Sequence, residues 1–186
     1  MTNILVFGGT FDPPHHAHIK LARDAMEHLR CDKVLFVIAA TSPFKQTVRQ
    51  SSDEHRLAML KLAIADQPWA EICTIELNRG GTSYTIDTLE SLKQEFGQEV
   101  QLHLLIGEDQ AVSFDEWCNN EAIQKIANVV VLARKGYESD RFETLPFEEI
   151  PISSTHIRER SSNDQSIEDL VSPTVFEYIA IHNLYE

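Results

Sequence analysis

Short apolar runs alternate along the chain with longer segments in which apolar residues recur every three or four positions. The runs, together with one alternating stretch at 72–77, predict strands at residues 4–7, 33–38, 72–77, 102–106 and 129–132. The longer segments predict helices at about residues 16–29, 51–66, 82–97, 110–114, 120–126, 153–160 and 172–182. This alternation predicts an α/β fold, a doubly wound Rossmann-like parallel sheet whose ligands bind beyond the carboxyl ends of its strands.

Polar residues with capping chemistry mark several of the expected helix starts. Ser51 and Glu54 have the spacing of a capping box, which predicts that Ser51 caps the second helix. Thr82 or Ser83 is expected to cap the helix that follows. The polar stretch at residues 137–149 is the least specified region of the chain.

Composition limits the class of protein. A chain of 186 residues, 42% hydrophobic and 24% charged, fits a single domain over residues 1–186 with a substantial core. There is no apolar run near ~18 residues, and the chain enters a strand at once, so we expect neither a membrane helix nor a signal peptide. Cys31, Cys73 and Cys118 are widely spaced and odd in number, which indicates reduced thiols and a cytoplasmic protein.

The net charge of −13 comes from 16 basic and 29 acidic residues. Such an acidic surface argues against nucleic acid and against anionic membranes as partners. It leaves room for a small phosphate-rich ligand, because that ligand needs only a few local cations.

The densest chemistry lies in the first strand-to-helix connection. Gly8 and Gly9 are expected to turn the backbone tightly and to approach a ligand. Asp12 is expected to cap the following helix, with the two prolines in its first turn. His15 and His18 then project from one helix face. Unpaired backbone N–H groups and the helix dipole favour bound phosphate at such a start.

Other readings of this connection fit less well. The P-loop pattern fails because no Lys-Ser/Thr follows, and the dinucleotide fingerprint fails because no third glycine follows Gly9. His15, His16 and His18 make a zinc site conceivable, but no further cluster with ligand spacing supports one. Phosphate binding is therefore the favoured interpretation, and we expect no metal held by protein residues.

A second constellation lies at residues 153–158, with three successive hydroxyl residues and Arg158. Taken alone, the hydroxyls indicate an ordinary helix cap. With the guanidinium of Arg158 they form a second phosphate cradle of backbone N–H groups, hydroxyls and a bidentate donor.

These two segments resemble the paired motifs of the adenylyltransferase (nucleotidyltransferase) superfamily. The run GGTFDPPHHAH resembles its G-G-[ST]-F-[DN]-P-x-H and H-x-G-H patterns, with Ala17 in place of the usual glycine. Residues 152–158 resemble its I-S-S-T-x-I-R motif. The two motifs occur in the family's order and separation.

Three intervening segments are similar to those of nicotinate-nucleotide adenylyltransferases. Residues 76–85 resemble E-x-x-R-x-x-x-S-Y-T, residues 105–117 resemble I-G-x-D followed by F-x-x-W, and residues 134–137 resemble R-x-G-Y. One departure is Phe44, which stands where the family usually has histidine, although Lys45 keeps the cation.

The resemblance implies transfer of AMP from ATP to nicotinate mononucleotide, in one nucleotidyltransferase domain, with Mg²⁺ carried by the phosphates. It implies a catalytic set of His15, His18, Lys45 and Arg158. It implies an ATP set of Gly8, Gly9, Thr10, Phe11, Gly107, Asp109, Ser153, Ser154, Thr155 and Arg158. It implies a nicotinate mononucleotide set of Thr10, Lys45, Tyr84, Thr85, Trp117 and Arg134.

Three alternatives stay open on the sequence. They are a sister adenylyltransferase acting on phosphopantetheine or nicotinamide mononucleotide, a nucleotide-binding regulatory module, and a fragment of a class I aminoacyl-tRNA synthetase. Tyr84 and Trp117 argue against the first, the intact histidines against the second, and the short acidic chain against the third. The sequence leaves a homo-oligomer and the protonation state of His18 open.

Overall fold

The computed structural model describes residues 2–40, 50–133, 139–147 and 150–186. Within these ranges the strands are β1 Asn3–Gly9, β2 Lys33–Ile38, β3 Ala70–Cys73, β4 Gln101–Gly107, β5 Ala127–Ala133 and β6 Glu143–Pro146. The helices are α1 His16–Leu29, α2 Asp53–Ala63, α3 Ile75–Arg79, α4 Thr85–Phe96, α5 Glu108–Val112, α6 Asn120–Ile126, α7 Ser154–Ser162 and α8 Pro173–Ile181. A 3-10 turn occupies Phe114–Glu116.

The strands form one parallel sheet in the order β3-β2-β1-β4-β5-β6. This order confirms the doubly wound Rossmann-like fold predicted from the alternating pattern. β1 is central and pairs on one side with β2 and on the other with β4, so the strand order reverses there. The carboxyl ends of β1 and β4 therefore flank the crevice in which such sheets bind ligands.

Alternate residues of each strand face opposite sides of the sheet and build two separate cores. Ile4 and Val6 belong to the core under α4 and α6, whereas Leu5 belongs to the core under α1 and α2. A third apolar cluster joins α2, α7 and α8 and contains Met59 and Ile157. Strands covered on both faces are apolar throughout, which explains why β2 was predicted at its observed bounds.

The predicted strand at residues 72–77 is wrong in its second half. The strand ends at Cys73, and the next residues form the short helix α3. This helix has little more than one turn, so it offers no periodicity for a sequence pattern to detect. Gly80 ends it with a φ of 68° and donates its N–H to the carbonyl of Glu76.

The weakly patterned stretch 137–149 contains a strand, β6, that the sequence analysis missed. Among the described strands β6 lies at the edge of the sheet and pairs with β5 alone. Of its residues only Leu145 is buried, so no apolar run marks it. Pro146 at its end is compatible with an edge strand, which needs fewer backbone donors.

Two predicted helix caps are also displaced. Ser52, not Ser51, caps α2 and accepts the N–H of His55 at 3.3 Å. Tyr84, not Thr82 or Ser83, precedes α4 as its N-cap and makes no side-chain cap bond. Ser51 lies one residue before this cap, and its N–H donates to the carboxylate of Asp12 at 3.0 Å.

Where the chain is described, we find no helix of the length and apolarity that crossing a membrane requires. Cys31, Cys73 and Cys118 are free thiols.

Candidate active site

The chain turns after β1 at a later residue than the two glycines predicted. β1 continues through both glycines, because Gly8 pairs with Val37 and Gly9 with Ile38. The left-handed residue is Phe11, with a φ of 51°. The predicted glycine turn is therefore wrong, and Gly9 matters for space instead. A Cβ on Gly9 would lie 2.9 Å from Cζ of Phe11, whereas a Cβ on Gly8 would meet no atom within 4 Å.

Asp12 is not the cap of α1. A residue that precedes proline is pushed toward extended conformations, so the helix begins only after the two prolines. His15 takes the N-cap position with an extended backbone. The Asp12 carboxylate is buried and accepts the N–H of Ser51 at 3.0 Å and the hydroxyl of Tyr185 at 2.6 Å.

The two histidines meet at the start of α1. The rings of His15 and His18 stack with centroids 3.6 Å apart and planes at 20°. His15 is 5% exposed, and its Nδ1 is buried without a hydrogen-bond partner. Burial, with the neighbouring His16 charge as a second cause, lowers the pKa of His15 to about 4. His15 is therefore neutral at neutral pH.

His18 is held in one tautomer by the backbone. Its Nδ1 accepts the N–H of His15 at 3.3 Å, so the proton of the neutral ring is on Nε2. The edges and faces of Phe7 and Phe11 surround the same ring, with centroids at 6.1 and 5.2 Å. In this arrangement Nδ1 of His18 is an acceptor, and the ring donor is the N–H on Nε2.

Some backbone donors at this helix start are already used. The N–H of His16 bonds the carbonyl of Leu170 at 3.1 Å, and that of His18 bonds the carbonyl of His15 at 3.0 Å. The expectation that unpaired N–H groups there would bind an anion therefore fails for these two donors. An anion at this position would depend more on side chains than predicted.

The second constellation packs directly on the first. Ser153 caps α7 by accepting the N–H of His156 at 3.1 Å. Ser154 donates its hydroxyl to the carbonyl of Pro13 at 2.9 Å, and Arg158 donates Nη1 to the carbonyl of Asp12 at 2.8 Å. Nη2 of Arg158 also reaches the Thr155 hydroxyl at 3.3 Å. We call residues 10–18 together with 153–158 the histidine side of the site.

The end of β4 supplies the expected Gly107 and Asp109. A Cβ on Gly107 would lie 2.7 Å from Oδ1 of Asp109, so a larger residue there would require the Asp109 side chain to shift. The N–H of Gly107 is bonded by the side chain of Gln110 at 3.0 Å. Asp109 is exposed and available to a ligand beyond the sheet.

The residues assigned to the pyridine ring lie on the other face of the sheet. Tyr84 is 42% exposed before α4, and Thr85 is the first residue of that helix. Trp117 follows the 3-10 turn and packs on Phe114, with ring centroids 5.2 Å apart. We call Tyr84, Thr85 and Trp117 the tryptophan side.

Behind the tryptophan side lies the half-buried Glu76. It accepts the Thr88 hydroxyl at 2.9 Å, and burial raises the pKa of its carboxyl. Ser83 is buried beside the start of α4.

Three residues of the sequence analysis, Phe44, Lys45 and Arg134, lie outside the described residues. Their assignments therefore stay predictions.

Two further residues of the site were missed by sequence reasoning. Arg56 is completely buried and donates Nη1 to the carbonyl of Thr10 at 2.9 Å and Nη2 to Asp53 at 2.6 Å. Its position in phase with the buried Met59 of α2 is the signal that could have revealed it. Tyr185, which bonds Asp12, lies in a segment that has no helical spacing of apolar residues to reveal it.

Over the described ranges, no three or more His, Cys, Asp or Glu side chains gather into a group that could hold a metal ion.

Comparisons with known proteins agree with this geometry. The cytidylyltransferase-like family model matches residues 6–160. A Shouchella clausii protein named "Probable nicotinate-nucleotide adenylyltransferase" is 36% identical over 100% of this chain and 97% of its own length. The Bacillus subtilis nicotinate-nucleotide adenylyltransferase is 33% identical over the full length of both chains.

A solved structure of the Plasmodium falciparum nicotinic acid mononucleotide adenylyltransferase complexed with NaAD has the same fold. It superposes with a TM-score of 0.80 at 20% identity and covers 100% of this chain and 98% of its own. The family model, the full-length relatives and the fold agree with the two motifs, which meet where β1 ends and α7 begins. The chain belongs to the cytidylyltransferase-like family and, within it, to the nicotinate-nucleotide adenylyltransferases.

Proposed function

We propose that this protein transfers the adenylyl group of ATP to nicotinate mononucleotide, giving nicotinate adenine dinucleotide and pyrophosphate in NAD biosynthesis. The observation that carries the proposal is the meeting of the two phosphate-binding constellations. Arg158 and Ser154 bond the backbone of Asp12 and Pro13, immediately before the stacked histidines. The full-length relatives supply the acceptor, because their names specify nicotinate nucleotide.

The reaction is an in-line displacement at phosphorus. A phosphate oxygen of the mononucleotide forms a bond to the α-phosphorus of ATP, and the bond from that phosphorus to the bridging oxygen of pyrophosphate breaks. The electron pair of the broken bond leaves with pyrophosphate. No covalent bond to the protein is needed, so the protein contributes positioning and stabilisation of negative charge.

His18 is assigned to the charge that develops near the α-phosphate. Its Nε2–H is the ring donor, since Nδ1 is occupied by the N–H of His15. A ring N–H stabilises this charge through a directed hydrogen bond. His15 orients His18 by stacking on it and offers the triphosphate a second, neutral imidazole.

The start of α7 is assigned to the remaining phosphate charge. The Arg158 guanidinium has further N–H donors beyond those bonded to Asp12 and Thr155, and these suit phosphate oxygens. Lys45 would add a second cation. Hydroxyl and backbone donors are assigned to the same role, namely those of Ser153, Ser154, Thr155, Gly8, Gly9, Thr10 and Phe11.

The acceptor is assigned to the tryptophan side. Trp117 offers a face for the pyridine ring, and the N–H of Thr85 at the first turn of α4 suits a carboxylate by hydrogen bonding and by the helix dipole. Tyr84, Thr10 and Arg134 complete the assignment. Asp109, above Gly107, is assigned to a ribose hydroxyl.

Three further assignments belong to this proposal. Mg²⁺ is carried by the ATP phosphates, which is its usual mode in nucleotide sites. The protein acts in the cytoplasm as one nucleotidyltransferase domain over residues 1–186, with small molecules as its substrates. A homo-oligomer is compatible with the proposal and is not needed by it.

The test is turnover of ATP and Mg²⁺ with each candidate acceptor in separate reactions. Nicotinate mononucleotide should give equal amounts of pyrophosphate and the dinucleotide, whereas phosphopantetheine should give neither. Equal turnover of the nicotinamide mononucleotide would transfer the assignment to a sister enzyme. Binding of ATP without pyrophosphate release from any acceptor would favour a regulatory module.

A further inference from the structure

A buried carboxylate within the histidine side, that of Asp12, has no part in the proposed reaction. Asp12 is 2% exposed, and burying a carboxylate is costly unless hydrogen bonds replace its hydration. Both of its oxygens are bonded: Oδ2 accepts the N–H of Ser51, and Oδ1 accepts the hydroxyl of Tyr185 at 2.6 Å. Asp12 thus joins two segments that are far apart in sequence.

The backbone of the same residue holds a group assigned to ATP. The carbonyl of Asp12 accepts Nη1 of Arg158 at 2.8 Å. The neighbouring carbonyl of Thr10 is bonded by the buried Arg56, and that of Pro13 by Ser154. The orientation of the Arg158 guanidinium therefore depends on where the Asp12 peptide lies.

The packing of Tyr185 places its hydroxyl at Asp12. Its ring packs in the apolar cluster of α2, α7 and α8, and its hydroxyl lies 3.8 Å from the sulfur of Met59. A phenol has one proton, and the 2.6 Å contact to Asp12 is the one that uses it. Burial and the Asp12 charge raise the pKa of Tyr185, so it remains a donor throughout the physiological range.

The backbone at Tyr185 supports the same conclusion. Its φ of 72° is left-handed, a conformation that bulky residues rarely adopt. The segment after α8 adopts this unfavourable conformation at the residue whose hydroxyl bonds the carboxylate. Such an outlier persists where surrounding contacts determine it.

We propose that Tyr185 is a positioning residue for ATP: its hydroxyl holds the Asp12 carboxylate, and through the Asp12 carbonyl it sets the Arg158 guanidinium that binds the triphosphate. This inference rests on the proposed function, because it takes the assignment of Arg158 to ATP from there. Its effect is confined to ATP, since the tryptophan side lies on the other face of the sheet.

The experiment compares Tyr185→Phe with the wild type by titration calorimetry. Phenylalanine keeps the ring in the apolar cluster and removes only the hydroxyl. We expect the Kd for Mg²⁺-ATP to rise about tenfold. This is less than the full effect of one charge-assisted hydrogen bond, because Tyr185 acts on ATP only through Asp12 and Arg158. The Kd for nicotinate mononucleotide should stay within about twofold, a split that general destabilisation of the fold would not produce.

Tyr178→Phe is the matched control. Tyr178 lies on α8, in the same apolar cluster, and its hydroxyl contacts His55 at 3.0 Å, away from Asp12. Its variant should bind ATP like the wild type. Equal ATP affinity in Tyr185→Phe and the wild type, or equal weakening by both phenylalanine variants, would overturn the proposal. So would an equal loss of affinity for both substrates.

A second variant tests the contact from its other side. If Tyr185→Phe does not fold, Asp12→Asn leaves the Tyr185 ring intact while it weakens the acceptor. The same selective loss of ATP affinity is expected, and unchanged ATP affinity would contradict the proposal. A wild-type protein that binds no ATP would instead refute the proposed function itself, which separates the two failures.

Discussion

The histidine side and the tryptophan side differ in how many of their polar groups already form hydrogen bonds within the protein. On the histidine side, protein side chains already bond the backbone and the carboxylate: Arg56 bonds the carbonyl of Thr10, Arg158 the carbonyl of Asp12, and Tyr185 the carboxylate of Asp12. On the tryptophan side, Tyr84 is exposed and caps α4 without a side-chain bond. Under the proposed assignments, the phosphate groups would meet a preorganised surface, whereas the acceptor ring would meet one that is more exposed.

This contrast has a chemical reason. Charge develops in the transition state at the α-phosphate, and donors fixed before the reaction stabilise that charge most effectively. The pyridine ring only has to be held and recognised. Loss of a group on the histidine side should therefore affect kcat or the binding of ATP, and loss of a group on the tryptophan side should affect the use of the acceptor and the selectivity for it.

His18→Ala should show the largest effect. Removal of the Nε2–H donor is expected to lower kcat by roughly 10²–10³ while KM changes little. Steady-state kinetics with circular dichroism would measure turnover and folding together. His16→Ala is the control, because His16 is exposed on the same helix turn. A folded His18→Ala enzyme with near-normal turnover would remove the basis of the contrast.

Arg158→Ala should come second. We expect the Kd for ATP to rise about 10²-fold, with a much smaller change for nicotinate mononucleotide. Arg158→Lys should rescue ATP binding only in part, since a point charge lacks the bidentate fork. Arg160→Ala, on the same helix, provides the control. Calorimetric titrations that show equal losses for both substrates would mean that the assignment to the triphosphate is wrong.

The buried His15 should make the histidine side sensitive to acid. Its pKa is about 4 in the folded protein and 6.5 ordinarily, so the unfolded chain binds a proton in this interval and the native protein does not. The stabilisation present above pH 6.5 is therefore lost as the pH falls toward 4.

Between about pH 7 and about pH 4.5, we expect this group to lower the free energy of unfolding by about 2 kcal/mol. Urea unfolding of the wild type and of His15→Gln at both values would measure it. The variant should lose less stability on acidification, and parallel losses would show that His15 does not carry the effect.

The smallest effect concerns recognition of the acid. Thr85 is the first residue of α4, a position that accepts proline, so Thr85→Pro removes one N–H and keeps the helix. We expect the preference for nicotinate over nicotinamide mononucleotide, measured as kcat/KM, to fall by about tenfold. Thr85→Ala keeps the N–H and serves as the control.

Trp117→Ala should lower kcat/KM for both mononucleotides by similar factors, because both rings present the same face. A selective loss for one acceptor would show that the tryptophan discriminates as well as stacks. Equal use of both acceptors by the wild type would contradict the nicotinate assignment.

Regular features of the chain were predictable because each has a local cause. β2 was located at its bounds from an apolar run, and the start of α8 from Ser172 before Pro173. The two motif segments were predicted to be phosphate cradles, which stays a prediction, and the structure joins these segments through Arg158. Their contact across the fold was not visible in either segment alone.

The failures have tertiary causes. Asp12 has the residue type of a helix cap, but Ser51 and Tyr185 engage its carboxylate instead. β6 is an edge strand and has little apolar surface to reveal it. Arg56 is a charged residue on a buried face, where the carbonyl of Thr10 and the carboxylate of Asp53 accept its N–H groups.

The contact between Gly9 and Phe11 restricts the order in which this sequence can change over evolutionary time. Alanine at position 9 would need the Phe11 ring to move, but rings of Phe7, Phe36 and His18 enclose it. A smaller residue at position 11 would first leave a cavity among those rings. Each single change is expected to lower the stability of the fold, and only the double change can restore it. We therefore expect the residues at positions 9 and 11 to change together.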